Sequence, residues 1–494
     1  MNLLPFLPIL YAIATFVMTL YGANLLWLAV MFVRNDRLKD GPVPPADAPP
    51  PVDRDGPAVT VQLPLYNEPV VCERLIDACA ALDYPRSLLE IQVLDDSTDE
   101  TTAIVARRVA HWQERGVDIT LVHRADRGGY KAGALKNGLR LARGAFIAIF
   151  DADFIPAPDF LRRMLPHFDR PDVGMVQARW GHLNAGESLL TRIQAFGLDA
   201  HFALEQFVRN RAGYFMNFNG TAGIWRRACI EDGGDWESDT LAEDLDLSYR
   251  AQLKGWRFTF VGDIEVPAEL PRDLDALRSQ QFRWTKGATE AGRKLLGRLW
   301  RSGESRGVKV EGTFQLTAHF VFPCILAAAL LHAPLLLLNH LGYDGPGPLY
   351  FAFLGFGLIG FFGFFLAQLF AQRALYPDWL RRVAFFPLFM AGSIGLALNN
   401  TRALALGLAG KRTPFVRTPK GGTTTHRLRI SPWSLFEALL AAYSLAGLVA
   451  VTAYGEWAAV PFQAMFALGF GLVTAYNFRD LRRQRAPLGT TPRG

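Results

Sequence analysis

Phe146-Ile147-Ala148-Ile149-Phe150-Asp151-Ala152-Asp153 is a short apolar run that ends on two aspartates one residue apart. Read as a buried strand, it delivers both carboxylates to the strand's carboxyl end. Ile91-Gln92-Val93-Leu94 runs in the same way into Asp95-Asp96-Ser97-Thr98-Asp99. Val59 to Leu63, Ile119 to Val122 and Met175 to Ala178 are further apolar runs bounded by turn or acidic residues. Stretches of helical character, such as Pro69 to Leu82 and Lys131 to Arg143, separate them. This alternation predicts a mostly parallel sheet covered by helices. In such sheets ligands bind outside the carboxyl ends of the strands, where both acidic clusters sit.

Outward from this domain the chain turns apolar. With 494 residues, 50% of them hydrophobic, and a mean hydropathy of +0.12, it has room for one domain and several membrane helices. Stretches long enough to cross a hydrocarbon core, about 20 residues, are Leu3 to Val33, Phe314 to Leu341, Leu349 to Gln372, Ser434 to Tyr454 and Trp457 to Tyr476. The first lacks the basic flank and cleavage site of a removable signal peptide, so it reads as a retained anchor. Lys and Arg gather after it (Arg34, Arg37, Lys39), on both sides of a shorter sixth stretch, Val383 to Leu398, and in the tail (Arg479, Arg482, Arg483, Arg485). The positive-inside rule then predicts five crossings, a cytoplasmic domain and an interfacial course for the sixth stretch, in an inner or plasma membrane.

The expected partition is an anchor at 1–33, a Pro- and Ala-rich linker at 34–57, the α/β domain at 58–272 and interfacial helices at 273–313. Two membrane helices follow at 314–372, an interfacial helix and loop at 373–433, two more membrane helices at 434–476 and a basic cytoplasmic tail at 477–494. Topology and contact with anionic lipid account for the net charge of +6, so membrane lipids and no nucleic acid are the expected partners. Cys72, Cys79, Cys229 and Cys324 show no metal-ligand spacing and read as small buried hydrophobes in a reducing compartment.

The acids suit a metal-bound nucleotide sugar. A Mg2+ or Mn2+ ion carrying a diphosphate is a hard cation held by one or two carboxylates, which Asp151 and Asp153 supply; alone, Asp-x-Asp also starts turns. Asp95-Asp96-Ser97 reads either as a helix cap or as a carboxylate for the base or ribose. Gly128-Gly129-Tyr130-Lys131-Ala132-Gly133 puts a flexible backbone and one cation at a helix start, suited to diphosphate or to a solvated turn. Glu243-Asp244 opens a helix through Leu245-Asp246-Leu247 and is the candidate general base for an attacking hydroxyl. Gln280-Gln281-Phe282-Arg283-Trp284 places Arg283 for diphosphate and Trp284 for stacking on a sugar, or anchors the chain at the membrane interface. Gly355-Phe356-Gly357-Leu358-Ile359-Gly360 spells a dinucleotide fingerprint but lies inside a span, where it predicts close helix packing.

In this order the motifs Pro64-Leu65-Tyr66-Asn67-Glu68, Asp95-Asp96-Ser97, Lys131-Ala132-Gly133, Asp151-Ala152-Asp153, Phe218-Asn219-Gly220-Thr221-Ala222-Gly223, Glu243-Asp244 and Gln280-x-x-Arg283-Trp284 resemble the processive, membrane-embedded family 2 glycosyltransferases. That group includes cellulose synthase, cellulose synthase-like mannan and glucan synthases, and hyaluronan synthase. The resemblance implies a GT-A type domain inserted between transmembrane segments, with Asp244 as base beside Glu243 and a metal on Asp153 and Asp151. It implies a nucleotide-sugar set of Leu63, Tyr66, Glu68, Asp95, Asp96, Lys131, Asp151, Gln280 and Arg283, and an acceptor set of Trp284, Gln280, Gly220 and Thr221.

Phe415-Val416-Arg417-Thr418-Pro419-Lys420 is similar to the gating loop of bacterial cellulose synthase through Phe415, Thr418 and Lys420, with Arg417 a departure, and the stretch Asn399 to Gly410 would be its interfacial helix. The acid motif reads Ala-Glu-Asp where many relatives have Thr-Glu-Asp, and no cyclic-dinucleotide-binding domain is seen after the last span, so control by that messenger is not expected. The expected activity is inverting, processive elongation of a β-1,4-mannan or glucan from GDP-mannose or UDP-glucose, with export through the membrane segment and room for accessory export or periplasmic subunits. Transfer of one sugar to a lipid acceptor is the alternative. A non-enzymatic export channel would need the acids to be dispensable.

Overall fold

The computed structural model describes residues 6–34, 56–338, 354–411 and 432–485, with isolated positions 340, 342, 347, 350 and 413. A seven-stranded sheet in the order β3-β2-β1-β4-β6-β5-β7 forms the soluble part. Its strands are β1 (Val59–Leu65), β2 (Leu89–Asp95), β3 (Ile119–His123), β4 (Phe146–Ile149), β5 (Val173–His182), β6 (Gly223–Arg226) and β7 (Arg257–Ala268). β1 pairs in parallel with β2 and β4, β2 with β3, and β5 with β7, whereas β6 is antiparallel to both β4 and β5. The expected α/β class with a mostly parallel sheet is therefore observed.

The continuous apolar runs arise because the central strands are buried on both faces. One layer packs Val61, Leu63, Ile91 and Val93 against Cys72, Leu75, Ile76 and Val105. The other packs Leu94, Ile147 and Ile149 against Leu135, Leu139, Trp225 and Trp236. The chain moves from β1 out to β2 and β3 and resumes on the far side of β1 with β4. Strand order thus reverses between β1 and β4, and such a switch point opens a crevice at the carboxyl ends. β6 and β7 were not foreseen. β6 offers only Ile224 and Trp225 between Gly223 and Arg226, and β7 interrupts its apolar residues with Gly262, Asp263 and Glu265.

Among the described residues four helices are long and apolar enough to cross a membrane: Phe6–Arg34, Arg306–Leu337, Gly357–Leu375 and Trp433–Ala453. They contain the larger part of four of the expected crossings. The fifth, Trp457 to Tyr476, falls from Val460 on in the helix Val460–Arg485, which is not in that set; Gln463 and Asn477 dilute the helix's apolar character. The stretch Val383 to Leu398 falls on two helices, Trp379–Gly395 and Ala397–Leu408, that meet at a 46° bend. Ala397–Leu408, which holds most of the stretch Asn399 to Gly410 expected to be interfacial, lies along the helix Leu274–Arg301: Asn399 Nδ2 donates to the Arg278 carbonyl (3.2 Å) and Arg293 Nη1 to the Gly407 carbonyl (2.8 Å).

Gly360 of the false fingerprint packs closely against the first helix, as expected, and Gly363 one turn on does the same. A Cβ on Gly22 would lie 2.2 Å from the Gly360 carbonyl oxygen, and one on Gly363 would lie 1.9 Å from that of Gly22. Backbone meets backbone here, so nothing flexible can yield. Gly363→Val is expected to destabilise the helix pair by about 1–3 kcal/mol or more, read as a lower melting temperature of the detergent-solubilised protein. An unchanged midpoint would refute this contact.

Candidate active site

A cavity of about 230 Å3 opens at the switch point and gathers the carboxyl ends of β1 and β4, the loop after β2, the start of the helix Glu243–Gln252 and one face of Leu274–Arg301. Its wall includes Tyr66, Glu68, Asp96, Lys131, Asp151, Asp153, Gly220, Glu243, Asp244, Gln280, Arg283 and Trp284. Residues separated by more than two hundred positions in sequence therefore share one pocket.

Each strand end contributes differently. After β1, Asn67 adopts a left-handed φ of 53° and laces two loops together, its N–H donating to Ser97 Oγ (2.8 Å) and its Oδ1 accepting from the Thr98 N–H (2.8 Å). The half-buried ring of Tyr66, just before it, lies 3.3 Å beneath the Arg127 guanidinium. After β2 the two aspartates part. Asp95 is fully buried, and its carboxylate accepts from the Ser97 N–H (3.0 Å) and Thr102 Oγ1 (2.7 Å) and meets His123 Nδ1 (3.0 Å). It organises the loop from behind the cavity wall, whereas it was expected among the nucleotide-sugar residues. Asp96 faces the cavity and is gripped by Arg124 through Nε (2.7 Å) and Nη2 (2.5 Å).

Two further expected site residues also lie behind the wall. Leu63 is a fully buried core residue of β1, and its successors Pro64 and Leu65 reach the cavity instead. Thr221, also fully buried, acts behind the wall: its Oγ1 accepts from the Asp151 N–H (2.9 Å) and fixes the strand end. Phe415, Thr418 and Lys420 lie outside the described residues.

At the centre Lys131 Nζ sits 2.5 Å from Asp151 Oδ1 and donates to the Gly220 carbonyl (2.8 Å). The loop before it turns through left-handed Gly129 (φ 73°) and Tyr130 (φ 52°) to start the helix Tyr130–Leu141. Burial alone would lower the Lys131 pKa, but Asp151, Glu243 and Asp244 outweigh it and hold the ammonium above its usual value. At Gly220 the left-handed φ of 82° disfavours a side chain, and a Cβ would crowd Asp244 Oδ2 (2.9 Å) and Lys131 Nζ (3.3 Å).

Burial pushes the Glu243 carboxyl up against the pull of Lys131. It pushes Asp244 up too, and with the charge of Glu243 beside it Asp244 reaches about 7. Such a carboxyl is poised to exchange a proton near neutrality. Arg283 lies among these acids: burial lowers its pKa, against the pull of Asp151, Glu243, Glu68 and Asp153. One helical position on, Trp284 approaches Trp180 with ring centroids 6.4 Å apart.

The donor set at the end of β4 is chemically suited to Mg2+ or Mn2+, because Asp151 and Asp153 offer hard carboxylate oxygens in one wall. A second acidic group, Glu237, Asp239 and Asp246, brings its oxygens within 4.8 Å of one another. Lys294 Nζ reaches all three (2.5, 2.9 and 3.0 Å), and Arg250 Nε also bonds Asp246 (2.8 Å), so side-chain cations already balance it. Trp180, His182 and Arg127 line the cavity without having been foreseen, and Asn219, part of a quoted motif but of none of the expected site sets, lines it too. Trp180 and His182 lie beyond the apolar run that ended at Ala178, where Arg179 and Gly181 break the pattern.

Known proteins resemble this chain. Residues 57–287 match the family model described as glycosyltransferase like family 2. Glucomannan 4-beta-mannosyltransferase 7 of Arabidopsis thaliana is 36% identical over 85% of this chain and 77% of its own length. Glucomannan 4-beta-mannosyltransferase 1 of Oryza sativa subsp. japonica is 41% identical over 56% of each chain. Glucomannan 4-beta-mannosyltransferase 2 of Arabidopsis thaliana is 43% identical over 56% of this chain and 54% of its own. Among solved structures, a mannosyltransferase from Pyrobaculum calidifontis in complex with GDP-mannose and Mn2+ superposes with a TM-score of 0.55 at 22% identity, covering 82% of this chain and 100% of that one. That likeness identifies the sheet as a GT-A fold. With its apolar helices and its acid-lined cavity, the chain belongs to the family 2 glycosyltransferases of the cellulose synthase-like group and is a nucleotide-sugar-dependent membrane enzyme.

Proposed function

We propose that the protein is an inverting β-1,4-mannosyltransferase that uses GDP-mannose to extend a mannan-type chain on the cytoplasmic face and passes it into its own membrane helices. The carrying observation is that Asp244, with a pKa of about 7, shares one cavity with Asp153 and Trp284. Inversion by single displacement asks for one base that takes the acceptor hydroxyl proton as the oxygen attacks the anomeric carbon. Asp244 fills that role, Glu243 keeps its pKa high, and Lys131 and Arg283 balance the charge that gathers on the departing diphosphate. Asp153 and Asp151 would hold a divalent ion, which when bound supplies further positive charge at the diphosphate. Trp284 and Trp180 offer flat apolar faces for the acceptor sugar.

The mannosyl donor is favoured over UDP-glucose because the relatives are named glucomannan 4-beta-mannosyltransferases. The path into the membrane is favoured by continuity: Arg278, on the helix that carries Trp284, is ion-paired with Glu437 and donates to Asn477 Oδ1 (2.7 Å) of the two C-terminal helices.

Reconstituted protein supplied with labelled GDP-mannose or UDP-glucose and Mn2+ or Mg2+ tests this reading. The expected product is a polymer from GDP-mannose, degraded by a β-1,4-mannanase, lost on addition of chelator and restored by the metal. A labelled lipid carrying a single sugar would instead overturn the polymerase reading.

A further inference from the structure

We propose that His182 binds the acceptor: its ring, oriented by Asp199, presents Nδ1 to a hydroxyl of the acceptor sugar, and the orienting carboxylate is itself held by the end of a membrane helix. This rests on the acceptor reading given above.

His182 is the last residue of β5, two positions after Trp180. Strand parity puts both side chains on one face, and both line the cavity with Leu198, Leu270 and Trp284. The His182 side chain is only 5% exposed, and its Nε2 lies 3.2 Å from Asp199 Oδ1. Asp199 belongs to the helix Leu189–Ala200 and is 2% exposed. Its other two partners are donors: Gln372 Nε2 on Oδ2 (3.0 Å) and the Tyr376 hydroxyl on Oδ1 (3.2 Å). Among the described residues it makes no ion pair with Lys or Arg. A buried carboxylate needs donors, so Nε2 carries the ring proton toward Asp199. In the neutral ring Nδ1 is then an acceptor available to a ligand.

Trp180 and Trp284 cover the apolar face of a pyranose, but a sugar also has a polar edge, and His182 supplies a fixed acceptor for one hydroxyl beside them. Gln372 lies in the last turn of the helix Gly357–Leu375 and Tyr376 follows it directly. The position of that membrane helix therefore sets the Asp199 carboxylate and, through it, the imidazole. Asp199, Gln372 and Tyr376 are positioning residues in this scheme.

The test uses the full-length reconstituted enzyme, with manno-oligosaccharide as acceptor and GDP-mannose as donor. For His182→Phe, which keeps a ring but no acceptor nitrogen, the acceptor KM is expected to rise about tenfold, equivalent to one lost hydrogen bond. The donor KM and the slow hydrolysis of donor without acceptor should stay within about twofold of wild type. Asp199→Asn keeps volume but lets the amide donate to Nε2, which moves the ring proton to Nδ1; it should raise the acceptor KM in the same selective way. An unchanged acceptor KM in both variants, or a donor KM that rises in step with it, overturns the inference. Failure of the wild-type enzyme to transfer to any such acceptor overturns the functional reading itself.

Discussion

Asp244→Asn is expected to lower polymer synthesis by roughly a hundred- to ten-thousand-fold while GDP-mannose affinity stays near the wild-type value. The amide fits the same space and still accepts from the Leu245 N–H, as Asp244 Oδ1 does at 2.8 Å, but it cannot take the hydroxyl proton. The same substitution should make the protein more resistant to heat at alkaline pH. The folded-state pKa of Asp244, about 7, lies above the ordinary value of 3.8, so the native state keeps a proton that the unfolded chain releases. Stability from that proton is complete below about pH 4 and is lost as pH rises toward and through 7. The amide variant has no such proton to lose. Its melting temperature should therefore exceed that of wild type at pH 8 and converge with it near pH 4. The wild-type rate should fall on an acid limb near pH 7 as the base becomes protonated. Full activity in Asp244→Asn would remove this carboxylate from the chemistry, and equal melting at pH 8 would remove the burial account of its pKa.

The sheet was legible because its strands are buried on both faces: continuous apolar runs ending in acids leave few other readings. Adjacent aspartates were harder. Asp95 continues the parity of Ile91 and Val93 and turns toward the layer that they face, whereas Asp96 lies one residue past the strand and reaches the cavity. Parity needs a known strand end, and the apolar run stopped one residue short of it. Trp180 and His182 were missed for a related reason. β5 runs through Arg179 and Gly181 because β7 pairs with it past an irregularity at Ala178/Arg179, a long-range cause with no local signature. Lys131 was legible as a cation at a helix start. Its engagement with Asp151, Glu243 and Asp244 was not, because those acids meet only when the sheet is assembled.

Lys131→Met shows why that engagement matters. With Lys131 acting on the diphosphate alone, its loss would weaken donor turnover by a similar factor at every pH. The structure places the ammonium between Asp151 and the Glu243–Asp244 pair, where it pulls both carboxyl pKa values of that pair down against burial. Removing it leaves burial and the charge of Glu243 opposed at Asp244 chiefly by the Leu245 N–H, so the Asp244 pKa climbs above about 7. The acid limb of kcat/KM should move to higher pH, and the loss of activity, roughly a hundredfold or more at pH 7, should shrink toward pH 9 as the base ionises again. Lys131→Arg keeps the charge and should keep the acid limb near its wild-type position even if its bulk, packed close to Gly220, costs rate. A pH profile that merely drops in height, with the acid limb unmoved in Lys131→Met, would confine Lys131 to the leaving group and separate it from the base.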